Sequence, residues 1–116
     1  MNKNNPVIDE RIIRCIIKAK DYSGVSRVGV FGSFARAEQT EDSDLDILYD
    51  YFYQDNETNG INSTFTFLDK LEDDLTHVLD GRKVDFTSYL GLLDSENEQL
   101  RQGILRDVVW VYERDG

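Results

Sequence analysis

Two short runs in this chain carry residues whose types and spacing could do chemistry: Gly32-Ser33 and, a few residues later, Asp44-x-Asp46. Side chains alternate along a strand, so Asp44 and Asp46 share one face while Leu45 and Ile47 take the other. A rise of about 3.3 Å per residue puts their Cα atoms about 6.5 to 7 Å apart, within reach of one hard cation. A glycine-serine pair between a strand and a helix gathers unpaired backbone N–H groups and the positive end of a helix dipole at one spot, where phosphate binds. Gly32 lets the backbone come close, and the Ser33 hydroxyl adds a hydrogen bond. Each run alone has a plainer reading, since Gly-Ser pairs are mostly turns and a solvated acidic turn ahead of a strand is ordinary in an acidic chain.

A third acid decides how much the pair means. In Lys83-Val84-Asp85-Phe86-Thr87, alternation sends Val84 and Phe86 to a core and Lys83, Asp85 and Thr87 the other way. Asp85 is an edge residue or a third carboxylate. If its strand pairs beside that of Asp44 and Asp46, the three form one group.

Other chemistries fail on register. Asp42, Asp44 and Asp46 imitate the first ligands of a calcium-binding EF-hand loop, but Ile47 and Tyr53 stand where that loop needs glycine and glutamate. No lysine follows the glycines as a Walker loop requires, and Gly29 and Gly32 lack the dinucleotide-binding spacing. His77, the sole histidine, has no cysteine or second histidine nearby and reads as structural or exposed. Cys15, the sole cysteine, lies in an apolar periodic segment and reads as a small buried hydrophobe.

The elements that must position these residues follow from periodicity. Pro6 to Tyr22 has Ile8, Ile12, Ile13, Ile16 and Ile17 at intervals of three and four, an amphipathic helix with Asn5 as cap, Pro6 in its first turn and Ser23-Gly24 as exit. Arg27 to Phe31 is a short β-branched strand ending at Gly32, and a short helix is expected from Ser33 to Glu38. After a polar connection, Leu45 to Tyr53 is the carboxylate strand and Gln54 to Asn62 a loop near the site. Ser63 to Leu79 is a helix with Phe65, Leu68, Leu71, Leu75, Val78 and Leu79 as its stripe, and Gly81 ends it. Beyond the Asp85 strand, a linker with Leu90, Leu92 and Leu93 leads to a helix opened by a Ser95/Glu98 capping box. Leu100, Ile104 and Leu105 form that helix's apolar side. Val108 to Tyr112 is the last strand, with Trp110 packing. The order predicts an α/β or α+β sandwich, a mixed sheet of about four strands packed with helices.

Composition bounds the rest. With 116 residues, 40% hydrophobic and 11% aromatic, the chain supports one core, and residues 1–116 are expected to form a single domain. The formal charge of −10 disfavours unaided binding to nucleic acid or anionic lipid, so neither is expected as a partner. No leader, membrane span, lipidation signal, repeat or low-complexity stretch is evident, and a soluble cytoplasmic protein is expected.

Gly32-Ser33-x-Ala35-Arg36, followed by Ser43-Asp44-x-Asp46 and a later strand acid, resembles the nucleotidyltransferase superfamily of the DNA polymerase beta type. The short length and the ending Val111-Tyr112-Glu113 resemble its minimal members, antitoxins that act beside HEPN-domain ribonuclease toxins. The resemblance runs from Val28 to Glu113, and the combined motif is specific although each half is not. It implies the nucleotidyltransferase fold. Gly32 and Ser33, with Arg36 and Ser43 in the same motif, would serve the phosphates of ATP, and Asp44 and Asp46 would hold two magnesium ions. Asp85 would hold the ion that activates the attacking hydroxyl. Arg36 reads equally as a phosphate neutraliser or the partner of an acid. The acceptor so implied is a tyrosine hydroxyl on the cognate HEPN toxin, silenced by AMP. Two alternatives remain: an antitoxin that neutralises its partner by binding alone, and a small-molecule nucleotidyltransferase acting on an antibiotic. One departure stands out: Ala37 occupies the place of the family's usual glycine after the arginine. Alanine suits a continuing helix and is strained in a turn that needs positive φ.

Overall fold

The computed structural model describes residues 8–19, 25–51 and 58–113. In chain order these give α1 (Glu10–Ala19), β1 (Val25–Phe31), one 3-10 turn (Gly32–Phe34), β2 (Leu45–Tyr51), α2 (Thr58–Val78), β3 (Val84–Ser88), α3 (Tyr89–Leu93), α4 (Glu98–Asp107) and β4 (Val109–Glu113). The strands form one four-stranded sheet in the order β3-β2-β1-β4. β1 runs antiparallel to β2 and β4, while β2 and β3 run parallel, the mixed sheet of the α+β class that the sequence predicts.

Alternation on the strands sorts the two faces. Val28, Val30, Leu45 and Ile47 are completely buried on one, under Ile12 and Ile16 of α1 and Phe67, Leu71 and Leu75 of α2. On the other, Phe31 and Leu48 pack with Leu92 of α3, joined by Tyr89, Ile104 and Trp110. Arg27 is held between the rings of Tyr89 and Trp110, 4.4 and 4.1 Å from their centroids, and pairs with the buried Asp50 at 3.3 Å. Trp110 packs, as expected.

Several elements depart from expectation. α1 starts at Glu10 because Asp9 caps it, its carboxylate accepting from the Arg11 amide at 2.9 Å. The Arg11 side chain also binds Asp9 and holds that carboxyl below its ordinary pKa. Asn5, Pro6, Tyr22 and Ser23-Gly24 lie outside the described residues. The buried stripe is Ile8, Ile12, Cys15, Ile16 and Ala19, so Cys15 is a core residue as expected, and Ile17 is left 39% exposed. α2 takes in residues 58–62, expected as loop; Asn59 and Gly60 are poor helix formers, but they fall in the first turn, where the cost is smallest. Phe67 rather than Leu68 anchors it, and the side chain of Phe65 lies outside the described residues. Gly81, at φ +87°, closes it with its amide on the Thr76 carbonyl. The linker after β3 folds into α3, capped by the Ser88 hydroxyl. Asn97 caps α4 in place of Ser95, whose hydroxyl instead accepts from the Asn97 amide. α4 buries no residue fully, and Leu100 and Leu105 are among the exposed large hydrophobics. Among the described residues no helix is long and apolar enough to cross a membrane.

Candidate functional site

The Gly32–Phe34 turn leaves β1 and doubles back at once. The Ala35 and Arg36 amides bond to the Gly32 carbonyl, and the Ala37 and Glu38 amides to the carbonyls of Phe34 and Ser33. These bonds make a helix-ending motif one turn after the helix began, so the expected helix from Ser33 to Glu38 is absent. The motif puts its left-handed residue at Ala37, φ +59°, where a side chain costs about 1–2 kcal/mol. A helix dipole contributes little from a single turn. What the turn presents is its own first amides, the groups left without an acceptor inside it. Gly32 sits at φ +75°, and a Cβ there would lie 2.5 Å from Asp46 Oδ2. The turn and the carboxylate strand therefore touch at Gly32 and Asp46, and only glycine permits both the backbone angle and the approach.

On the sheet, Asp46 pairs with Phe31 of β1 on one side and with Asp85 of β3 on the other. Neighbouring strands stand about 4.8 Å apart, so Asp46 and Asp85 are adjacent and point to the same face. Burial first, and then the negative charges of Asp85 and Asp44, push the Asp46 pKa up, with Arg36 partly opposing. Asp44 and Asp85 thus both act on Asp46, and β3 does pair beside β2, the condition that the sequence set for Asp85. Asp85 is the more open member, its side chain 44% exposed and 3.7 Å from the Lys83 ammonium.

Arg36 and Ser43 are placed differently from the three acids. The Arg36 guanidinium bonds Glu38 at 2.9 Å and Asp107 at 2.6 Å, so it is paired with acids and tacks α4 to the turn. The Ser43 hydroxyl accepts from the Thr40 amide at 2.8 Å, closing the turn ahead of Asp44. Sequence reasoning passed over Arg82, which bonds the Thr40 and Ser43 carbonyls; no local pattern links residues so far apart. His77 is exposed on α2 and remote from the carboxylates, lining a separate groove between α1 and α2.

Asp46 and Asp85 open into a cleft of about 680 Å³, with Phe31 and Thr87 on the sheet side and Leu92, Leu100 and Ile104 on the helix side. Its donor chemistry suits a hard divalent cation: oxygen donors, led by two adjacent carboxylates, with the half-buried Asp46 carrying a raised pKa. Among the described residues no group of three or more His, Cys, Asp or Glu side chains is placed to hold a metal ion together. Magnesium needs no such group, because it keeps waters and takes one or two carboxylates together with phosphate oxygens. The residues present fit such an ion.

A glycine-serine turn pressed against a carboxylate strand, on a small mixed sheet, is an arrangement that a nucleotidyltransferase can use. The profile of the polymerase beta nucleotidyltransferases matches residues 10–116, and the chain belongs to that family. It is 35% identical over 109 residues to a Methanocaldococcus jannaschii protein named as a protein adenylyltransferase, covering 94% of this chain and 97% of that one. It is 39% identical over 88 residues to the protein adenylyltransferase MntA of Thermococcus cleftensis, covering 76% of each. A solved structure described as a minimal nucleotidyltransferase superposes with a TM-score of 0.59 at 31% identity, over 86% of this chain and 88% of the other. A toxin-antitoxin crystal structure with AMP-PNP shares the fold at a TM-score of 0.56 and 22% identity, over 89% of this chain and 74% of that one.

Proposed function

We propose that this nucleotidyltransferase is a magnesium-dependent protein adenylyltransferase. It moves AMP from ATP to a protein hydroxyl, a tyrosine of a cognate HEPN-domain toxin, and so acts as an antitoxin in the cytoplasm. The observation that carries the reading is the β2–β3 register, which sets Asp85 beside Asp46 on the open face while Gly32 abuts Asp46. The names of the relatives support protein as acceptor, and the AMP-PNP of the toxin-antitoxin structure supports ATP as donor.

The amides at Gly32 and Ser33 receive the β- and γ-phosphates. Asp44 and Asp46 would hold two magnesium ions, and Asp85 would share in holding one of them. When bound, magnesium supplies Lewis-acid stabilisation of the charge that builds on the α-phosphate and on the leaving oxygen. Asp85, at the open side of the cleft, orients the acceptor hydroxyl and draws off its proton. The acceptor oxygen bonds to the α-phosphorus, the bond to the β-phosphate oxygen breaks, pyrophosphate leaves and the hydroxyl proton passes to solvent. Leu92, Leu100 and Ile104 give an aromatic acceptor an apolar wall.

The test is incubation with magnesium, α-labelled ATP and the HEPN protein encoded beside this chain. Label on a tyrosine of that protein is the expected result. A tight complex without label would establish neutralisation by binding alone, and label appearing only on an added aminoglycoside or lincosamide would assign a small-molecule acceptor.

A further inference from the structure

Arg82 stands between the end of α2 and the start of β3, three positions before Asp85. Its guanidinium donates from Nη1 to the carbonyl of Thr40 at 2.9 Å and to the carbonyl of Ser43, residues 42 and 39 positions away. Its Cζ lies 5.0 Å from the centroid of Phe34, the buried last residue of the Gly32–Phe34 turn. Ser43 immediately precedes Asp44. One side chain therefore touches the phosphate-facing turn and the lead-in to the carboxylate strand, and it sits on the lead-in to the third acid.

The segment between turn and strand has little else to hold it. Thr40, Asp42 and Ser43 bond one another through the Thr40 and Ser43 hydroxyls and the Ser43 amide. Among the described residues, the hydrogen bonds that fasten residues 40–43 to another part of the chain are the two from Arg82. The Nε donor of Arg82 is buried without an acceptor, an arrangement disfavoured unless the position of the rest of the group matters. A planar guanidinium can lie against a ring while one of its nitrogens donates to two carbonyls; a lysine ammonium can donate to carbonyls but has no plane to lay on the ring.

We infer that Arg82 is a positioning residue: it sets the separation between the Gly32-Ser33 turn and the Asp44-Asp46 carboxylates and keeps both in step with Asp85. The inference rests on the transferase reading of that site, since it concerns how the reacting groups are held. Loss of supporting contacts of this kind costs about tenfold to a hundredfold in activity, with the effect falling on turnover more than on ATP affinity, because the turn amides and the carboxylates remain present but misaligned.

The experiment compares the full chain with Arg82→Lys and Arg82→Met. Melting temperature, amide hydrogen exchange of the nucleotide-free protein, and kcat and KM for ATP in the labelling assay are read together. In Arg82→Lys the melting temperature and α1 exchange should stay at wild-type values, exchange over residues 32–46 should rise about tenfold, and kcat should fall about tenfold to a hundredfold with a smaller change in KM. Arg82→Met should show the same pattern more strongly. Wild-type exchange over residues 32–46 or wild-type kcat in both variants overturns the inference, as does exchange that rises equally in α1. If the unaltered chain transfers no label, the transferase reading fails, and the exchange pattern still decides whether Arg82 holds the turn to the strand.

Discussion

On one face of the sheet Val28, Val30, Leu45 and Ile47 are sealed beneath α1 and α2; on the other, their strand neighbours include Arg27, Phe31, Asp46 and Asp50. The same two strands supply both sets, residue by residue. The sealed face carries aliphatic side chains that need no partner. The open face carries charges, and it treats them in two ways. Toward β4, Arg27 and Asp50 are paired and roofed by Tyr89 and Trp110. Toward β3, Asp46 is crowded by the charges of Asp85 and Asp44, and Asp46 and Asp85 line an open cleft. Stability is concentrated where charge is absent or closely paired, and the site is where acids crowd an acid with only Lys83 and Arg36 in partial opposition.

Adjacent residues can break this contrast. Asp44→Asn with Asp46→Asn should lower label transfer about a thousandfold or more, equivalent to ~4 kcal/mol of barrier, while circular dichroism stays at wild type; retained transfer would remove these acids from the chemistry. One position along and on the sealed face, Ile47→Ala should cost about 3 kcal/mol in urea denaturation, far more than any change at Asp46.

The sign should reverse at Asp46 itself. Its raised folded-state pKa means that the native protein holds a proton over a range, just above ordinary aspartate values, where the unfolded chain has lost it. Stability therefore falls as pH rises through that range, and the charged form is a burden at neutral pH. Asp46→Asn should raise the melting temperature by a few degrees in chelator at neutral pH, with the gain shrinking in acid. No gain, or a gain that grows in acid, would mean that the repulsion is already compensated. The smallest effect is expected at the left-handed Ala37, φ +59°. Ala37→Gly relieves about 1–2 kcal/mol of backbone strain and loses part of that through a freer unfolded chain, for a net gain of ~0.5 kcal/mol by the same denaturation assay.

The contrast between faces was legible in the sequence because alternation is local: Leu45, Asp46 and Ile47 declare their sides without any knowledge of neighbours. The place of Asp85 was legible only as a condition, because its partner strand is set by pairing across the whole of α2. Ala37 could be marked as strained in a turn, but whether the chain turned there depended on hydrogen bonds from Ala37 and Glu38 back to Phe34 and Ser33. The exposure of Leu100 and Leu105 was hidden because a helical stripe shows that a face exists without showing that anything covers it. Arg82 was invisible for the same reason at longer range, since its meaning lies in two carbonyls and a ring far away along the chain.

The central claim, that Asp44, Asp46 and Asp85 hold metal as one site with the Gly32 turn, is tested most directly by counting ions. Manganese titration by electron paramagnetic resonance, in the presence of AMP-PNP, should find two ions per chain in the wild type and one in Asp85→Asn with nucleotide still bound. An equal count in the two proteins, or none in the wild type, would contradict it.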